Sequence, residues 1–308
     1  MRIVFMGTPD FAVSVLQGLI DHYEVVGVVS QPDKRVGRHH ELVETPVKKL
    51  ALSHHIPVYQ PEKIRVDYQT VLDLKPDIIV TCAYGQIIPI EILDYPEYGC
   101  INVHASLLPK LRGGAPIHKA IIDDYGVTGI TIMYMDVHMD SGDIISQKEI
   151  PILDEDNLES LHDKLSILGT NLLLETLPSI ISKTNSRITQ NENEVTFAYN
   201  IQREEEHIDF SKSSREVFNL IRGLSPMPAA NAILFGNEMK IYDSVCLQDT
   251  YEGKCGEIVS ITKDGIVVKT GDGVVALTKI KPFGKKMMDA SSYVNGVGKD
   301  KLIGQVFQ

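Results

Sequence analysis

The sequence predicts a doubly wound, mostly parallel α/β sheet followed by a small OB-like β-barrel. Three observations predict it. The first half carries short apolar runs that are hydrophobic nearly throughout, as expected of parallel strands covered on both faces. These runs alternate with helical stretches over short links. The last hundred residues change to closely spaced short strands separated by turn glycines.

The elements follow in order. RIVFMG (2–7) is a buried strand ending at Gly7, and DFAVSVLQGLI (10–20) has helical spacing. EVVGVVS (24–30), DIIVTCA (77–83) and CINVHAS (100–106) continue the parallel set. VTGITIMYMD (127–136) and DIISQKEIP (143–151) read as a late antiparallel pair, and residues 157–182 as a long amphipathic helix stopped at Pro178 or shortly after. The polar stretch 183–207 is expected to be a linker between a catalytic domain at 1–182 and a barrel domain at 208–308. The barrel part opens with a helix over 213–224 and then reads as five strands.

Length and composition bound the class. The chain has 308 residues, 43% hydrophobic and 23% charged, which suits two soluble globular domains. No apolar run reaches the roughly 20 residues of a membrane span. The opening lacks the basic and long apolar regions of a secretory leader, so a cytoplasmic protein is expected. The four cysteines are scattered without CxxC pairing, and reduced thiols are expected. No histidine or cysteine cluster has metal spacing, so no metal is expected. The net charge of −11 is uneven: residues 1–207 carry −13 and residues 208–308 carry +2, with eight lysines against four aspartates in 263–301. That asymmetry points to a polyanion partner for the second part, although lysines on exposed strand faces give the same signal.

Four segments carry candidate chemistry. Gly7-Thr8-Pro9 follows the first strand, where dinucleotide-binding proteins place GxGxxG. The further glycines are missing and Pro9 lacks an amide donor, so a pyrophosphate cradle is not expected. Thr8 or Asp10 reads equally well as a helix cap. Asn102 and His104 stand two apart at the end of a buried strand, hence on one face, and run into a loop holding Pro109, Gly113, Gly114 and Pro116. Open α/β sheets bind ligands at that end of a strand. Asp140 and Asp143 flank a turn glycine between two strands, which reads first as an ordinary acidic turn and otherwise as the source of a carboxylate to support the histidine. Lys34 to His40 form a basic loop, read either as a solvated face or as a phosphate contact. Asn, His and Asp without a nucleophilic Ser or Cys imply direct transfer, with Asn102 donating to a developing oxyanion.

These residues resemble the folate-dependent formyltransferases over essentially the whole chain. MGTPDFA (6–12), QPD (31–33), AYGQIIP (83–89), GCINVHASLLPKLRGGAPI (99–117), TGITIMYMD (128–136) and MDSGDII (139–145) are similar to that family's motifs. The resemblance implies that Asn102, His104 and Asp140 are catalytic. It implies 10-formyltetrahydrofolate as co-substrate, held by Tyr84, Gly85, Gln86, Ile87, Ile88, Ser106, Leu107, Leu108 and Pro109. Residues 201–230 and 281–298 are similar to the members whose acceptor is methionyl-initiator tRNA. For the acceptor the resemblance implies Gly7, Thr8, Pro9, Arg35, Arg38, Lys48, Arg112, Gly113 and Gly114, with Lys281, Lys285 and Lys286 on the barrel. A monomer serving translation initiation is expected. The alternative acceptor is the amine of a nucleotide sugar, served by the same catalytic residues. An oxidoreductase is disfavoured by the missing GxGxxG, and a non-catalytic RNA-binding protein would leave His104 without a chemical role. The chain departs from the tRNA-dependent members at His39-His40-Glu41, at Met227 where tryptophan is common, and at Ala229 where glycine is common.

Overall fold

The structure, a computed structural model, describes residues 1–36 and 40–308. It divides into two compact units. The first comprises 1–116, 127–151 and 162–199, and the second 117–126, 152–161 and 200–308. The stretch 183–207, expected as a linker, thus gives 183–199 to the first unit and 200–207 to the second. Two short segments of the expected 1–182 domain belong to the second.

In chain order the first half holds β1 (Arg2–Gly7), α1 (Phe11–His22), β2 (Glu24–Val29), the hairpin β3 (Lys34–Val36) and β4 (Glu41–Val43), α2 (Pro46–Ser53), β5 (Val58–Tyr59) and α3 (Gln69–Leu72). Then follow β6 (Ile78–Cys82), α4 (Ile90–Leu93), β7 (Cys100–His104), α5 (Pro116–Ile122), β8 (Val127–Tyr134), β9 (Ile144–Pro151) and α6 (Leu158–Ile181). One sheet has the order β5-β2-β1-β6-β7-β8-β9. Its first five strands are parallel and β8 and β9 join antiparallel, as the apolar runs predict. Ile3, Val4, Phe5, Met6, Ile78, Ile79 and Val80 are fully buried, which is why these runs show no polar alternation. The long helix α6 continues one turn past Pro178. No helix among the described residues is long and apolar enough to cross a membrane.

Past residue 200, the first α-helix of the second unit is α7 (Ser214–Leu224), capped by a reciprocal Ser213–Glu216 box. The strands β10 (Ala230–Leu234), β11 (Asn237–Leu247), β12 (Ile258–Thr262), β13 (Gly265–Lys269) and β14 (Val274–Pro282) follow, then a short β15 (Met288–Asp289), α8 (Ala290–Val297) and α9 (Lys299–Leu302). The antiparallel order is β10-β11-β14-β13-β12, with β15 on β14. Arg215 anchors the segments 117–126 and 152–161 to this unit through Asp124 and Asp154. The buried Arg222 donates to the carbonyls of Leu153 and Asp156.

The two edge strands of this sheet are joined through the last five residues. Gly304 and Phe307 donate to the carbonyls of Ile258 and Gly256, beside β12, while Ile233 of β10 exchanges two hydrogen bonds with Gln308. The sheet is thereby closed by backbone bonds that neither β10 nor β12 makes to the other, and two exposed edges are covered. Phe307 is buried against Phe210 with ring centroids 5.6 Å apart. Phe307→Ala is expected to cost about 3–5 kcal/mol and to expose the amides of Ile233 and Ile258 to solvent exchange. Unchanged thermal unfolding and unchanged exchange at those two amides would show that the closure is not structural.

Candidate functional site

Asn102 and His104 lie on β7, with Thr81 of β6 beside Asn102 in the parallel register and Met133 of β8 on its other side. The Thr81 hydroxyl donates to Asn102 Oδ1 at 2.8 Å. Anchoring the carbonyl end fixes the amide plane, and Asn102 Nδ2 makes no hydrogen bond among the described residues. The half-buried Asn102 therefore has its donor end in reserve.

His104 is 5% exposed. Its Nε2 lies 3.1 Å from the Leu111 carbonyl. A carbonyl only accepts, so Nε2 carries a proton, and Nδ1 is the nitrogen able to take another. Nδ1 lies 3.7 Å from Asp140 Oδ2, farther than a direct hydrogen bond but within ion-pair range once the ring is protonated. The same carboxylate oxygen accepts from Gly113 N at 2.8 Å. The structure thus brings together all three residues expected to be catalytic.

Asp140 is held by a network that starts in the polar stretch expected as a linker. Gln190 is 5% exposed and donates Nε2 to the carbonyls of Asp140 at 2.9 Å and Gly142 at 2.8 Å. Its Oε1 accepts Nε and Nη2 of Arg112 at 3.0 and 2.8 Å. Arg112 also pairs with Glu192 at 2.8 Å, and its own backbone joins residues 196–198. Arg112, expected at the acceptor, is instead a buried cation of 4% exposure whose donors are committed internally. Asp140 sits at φ +51°, a conformation tolerated by Asp. Two residues on, a Cβ at Gly142 would stand 2.0 Å from the Tyr134 carbonyl, so only glycine fits.

The loop after β6 is built around Tyr84. The Thr8 hydroxyl and Gln31 Nε2 donate to the Tyr84 carbonyl at 2.9 and 3.2 Å, and Gln86 ties the loop to Gln31, Pro61 and the Ile64 amide. Thr8 therefore serves this loop and not the start of α1, and Asp10 makes no side-chain cap either. Tyr84 Oη is buried without a partner, and burial pushes its pKa up. Gly85 has φ +91°, Ile87 is 86% exposed and Ile88 is buried. Next to β7, Thr131 Oγ1 donates to the Ser106 carbonyl and accepts from Leu108 N, while Gln147 binds the Leu108 carbonyl. Leu107 and Pro109 are half-buried and Ser106 is closed off beneath them. Thr81, Gln147 and Gln190 carry no motif, and Gln31 and Thr131, though inside QPD and TGITIMYMD, had no role assigned from the sequence.

The expected cations divide. Arg35 is exposed and donates to the His40 carbonyl, whereas Arg38 lies outside the described residues. Lys48, expected on phosphate, is instead paired with Asp33 at 2.5 Å and Glu44 at 3.3 Å. Hydrogen bonds from Gln60 and then Lys48 hold the Asp33 carboxyl below its ordinary range, and the bond to Asp33 raises the Lys48 pKa. Lys281, Lys285 and Lys286 are exposed on the second unit. Pro9 and Gly114 are exposed, and Gly7 is buried under Phe5 and the Cys82 carbonyl. Among the described residues no group of three His, Cys, Asp or Glu side chains is placed to hold a metal ion.

A parallel sheet with an Asn–His–Asp cluster at the carboxyl end of a central strand, joined to an antiparallel barrel unit, defines a group-transfer enzyme without a covalent nucleophile. Residues 1–177 match the formyl transferase model and residues 200–298 the formyl transferase C-terminal domain, and the chain belongs to the formyl transferase family. It is 50% identical to the methionyl-tRNA formyltransferase of Macrococcus caseolyticus over 99% of this chain and 98% of that one. Among solved structures, an N-formyltransferase from Helicobacter canadensis in complex with folinic acid and dTDP-3-aminofucose aligns with TM-score 0.66 and 20% identity over 90% of this chain and 99% of that one. HypX from Aquifex aeolicus in complex with tetrahydrofolic acid aligns with TM-score 0.65 and 17% identity over 96% of this chain, which spans 47% of HypX. At these identities the two structures speak for the fold alone.

Two expected outcomes follow from the geometry. Gln190→Ala leaves the Arg112 charge short of partners and frees the 140–142 turn. It should lower stability by about 2–3 kcal/mol and kcat by about 10²-fold through misplacement of Asp140. A variant of unchanged kcat would show that the turn holds without the clamp. The second outcome concerns pH. A carboxyl whose folded pKa lies below the unfolded value of 3.8 contributes stability that is full above that value and is lost as pH falls through the folded pKa. Asp33→Asn should therefore lower Tm at pH 7, by the equivalent of about 1–2 kcal/mol, and converge with wild type well below pH 4. A Tm difference that stays constant from pH 7 to pH 2.5 would disprove the assignment.

Proposed function

We propose that this chain transfers the formyl group of 10-formyltetrahydrofolate to the α-amine of methionyl-initiator tRNA, as a monomeric cytoplasmic enzyme of translation initiation. The observation that carries the reaction is the reserved donor of Asn102 beside the His104–Asp140 pair. The 50% identity over nearly the full length to a methionyl-tRNA formyltransferase supports the acceptor.

The chain's own residues suit the folate. The unpartnered Tyr84 Oη, the left-handed Gly85 and the knit of Thr8, Gln31 and Gln86 make a firm loop with polar capacity left over for a pterin edge. Ile87, Ile88 and the 106–109 loop supply apolar surface. When bound, the co-substrate supplies the formyl carbon and, in N10, the leaving nitrogen.

The unprotonated α-amine attacks the formyl carbon and forms the new C–N bond, while the carbonyl electron pair moves to oxygen. Asn102 Nδ2 donates to that oxygen as charge develops, and its Oδ1 cannot swing round because Thr81 holds it. His104 Nδ1 takes the proton that the amine loses. The imidazolium so formed is matched by Asp140, which the Gly113 amide and Gln190 keep in place. His104 returns the proton as the C–N10 bond breaks, so proton and leaving group balance. On the acceptor side Arg35, Lys281, Lys285 and Lys286 are the exposed cations available to phosphate, whereas Lys48 and Arg112 act by supporting the fold.

The test follows tetrahydrofolate release with methionyl-initiator tRNA, with a nucleotide amino-sugar, and with no acceptor. Release is expected with the tRNA alone. Asn102→Ala should lower kcat by about 10²–10³-fold and His104→Ala by about 10²–10⁴-fold. Release driven by the amino-sugar and not by the tRNA would transfer the assignment to the sugar-amine acceptor.

A further inference from the structure

We propose that Phe197 and Tyr199 form a stacking platform for the nucleobase that ends the aminoacyl acceptor. This proposal rests on the acceptor reading above and adds binding residues to it.

Residues 196–198 run alongside 112–115. Arg112 N donates to the Thr196 carbonyl at 2.9 Å, Ala198 N to the Arg112 carbonyl at 2.7 Å, and Ala115 N to the Ala198 carbonyl at 3.0 Å. The Thr196 hydroxyl accepts from Leu111 N. In such an extended segment alternate side chains share a face. Ala198 is fully buried, while Phe197 and Tyr199 on either side of it are 49% and 63% exposed. Their rings are stacked, with centroids 5.5 Å apart and planes 4° from parallel. A large apolar π surface is thus held in the open on a rigid backbone. Half-exposed aromatics of this kind are how sequence-tolerant nucleic-acid proteins take unpaired bases.

The position selects the ligand. The strip that carries the platform is bonded to the loop that touches both candidate catalytic side chains: Leu111 O accepts a hydrogen bond from His104 Nε2 and Gly113 N donates to Asp140. The strip therefore shares backbone bonds with the loop that contacts His104 and Asp140. In an aminoacyl ester the amine and the base are attached to the same ribose, so a base close to the chemistry is what the acceptor provides. In a nucleotide sugar the base is separated from the amine by a diphosphate as well as a ribose. That connection favours the aminoacyl nucleoside.

The experiment measures steady-state formylation by wild type, Phe197→Leu and Tyr199→Leu, with Tyr199→Phe and Phe197→Tyr as conservative swaps. Each is given intact methionyl-initiator tRNA and the same tRNA with an abasic terminal nucleoside that keeps the ester-bearing ribose. The leucine variants should raise KM for the intact acceptor by about 5- to 150-fold, with kcat and the folate KM within about twofold, and the aromatic swaps should restore KM. Removing the base should weaken wild type by a comparable factor and make little further difference in the leucine variants. Independent, multiplying losses from base and ring would mean that the two do not meet, and would overturn the platform. So would an unchanged KM, or a loss confined to kcat and folate KM, which would mark a structural role. A wild-type protein that formylates no methionyl-tRNA would fail at the control step, and the acceptor reading would fall together with the platform.

Discussion

The guanidinium of Arg112, buried to 4% exposure and gripped by Gln190, is the interaction on which the catalytic end of the sheet depends. A buried cation is tolerated only where its donors are satisfied, and removing a partner leaves an uncompensated charge. Gln190 meets that demand with one oxygen and still has both amide hydrogens for the carbonyls of Asp140 and Gly142. A single side chain thus couples the electrostatic need of Arg112 to the position of the carboxylate. Because Gly113 N, next in the chain to Arg112, binds the same carboxylate, the turn is held from two directions. Lysine at 112 could not reproduce the arrangement, since the planar fork places two donors on one oxygen.

The parallel strands and the long helix were legible because their signals are local. Buried parallel strands are apolar throughout, and an amphipathic helix repeats within its own length. Asn102 and His104 were legible for the same reason, since two residues on one strand share a face. What sequence could not supply were partners far along the chain. Arg112 and Gln190 are 78 positions apart, and a polar run such as 183–195 looks the same whether it floats or plugs a network. Lys48 and Arg112 were implied at the acceptor by resemblance, and a cation in the sequence carries no mark of whether a distant partner awaits it. The hydroxyl of Thr8 had a local use as a helix cap and a distant one on the Tyr84 carbonyl, and the distant one prevails.

The C-terminal unit shows the same division. Its five main strands were spaced by turn residues and could be read directly. Its closure could not, because residues 304–308 make their bonds to Gly256, Ile258 and Ile233 as isolated backbone bridges with no hydrophobic alternation. Ala229 stands where the resemblance leads one to expect glycine. It lies at φ +69° and is fully buried, a backbone conformation that glycine adopts without the Cβ penalty.

The direct transfer between two nitrogens proposed above would give the protein little covalent chemistry to perform, so its contribution would come from fixed dipoles and protons already in place. That requirement explains why so much of the site is scaffolding. Thr81 fixes the Asn102 amide, Leu111 fixes the Nε2 proton of His104, and Gln190 with Gly113 fixes Asp140. Together these supports leave two atoms uncommitted: Asn102 Nδ2, and His104 Nδ1 facing a carboxylate just beyond hydrogen-bond range. A site with these two atoms already satisfied would be more stable and would have nothing to offer the developing oxyanion. That unfilled hydrogen-bonding capacity sets these atoms apart from the side chains of Thr81, Gln190 and Arg112, which are spent on the internal network.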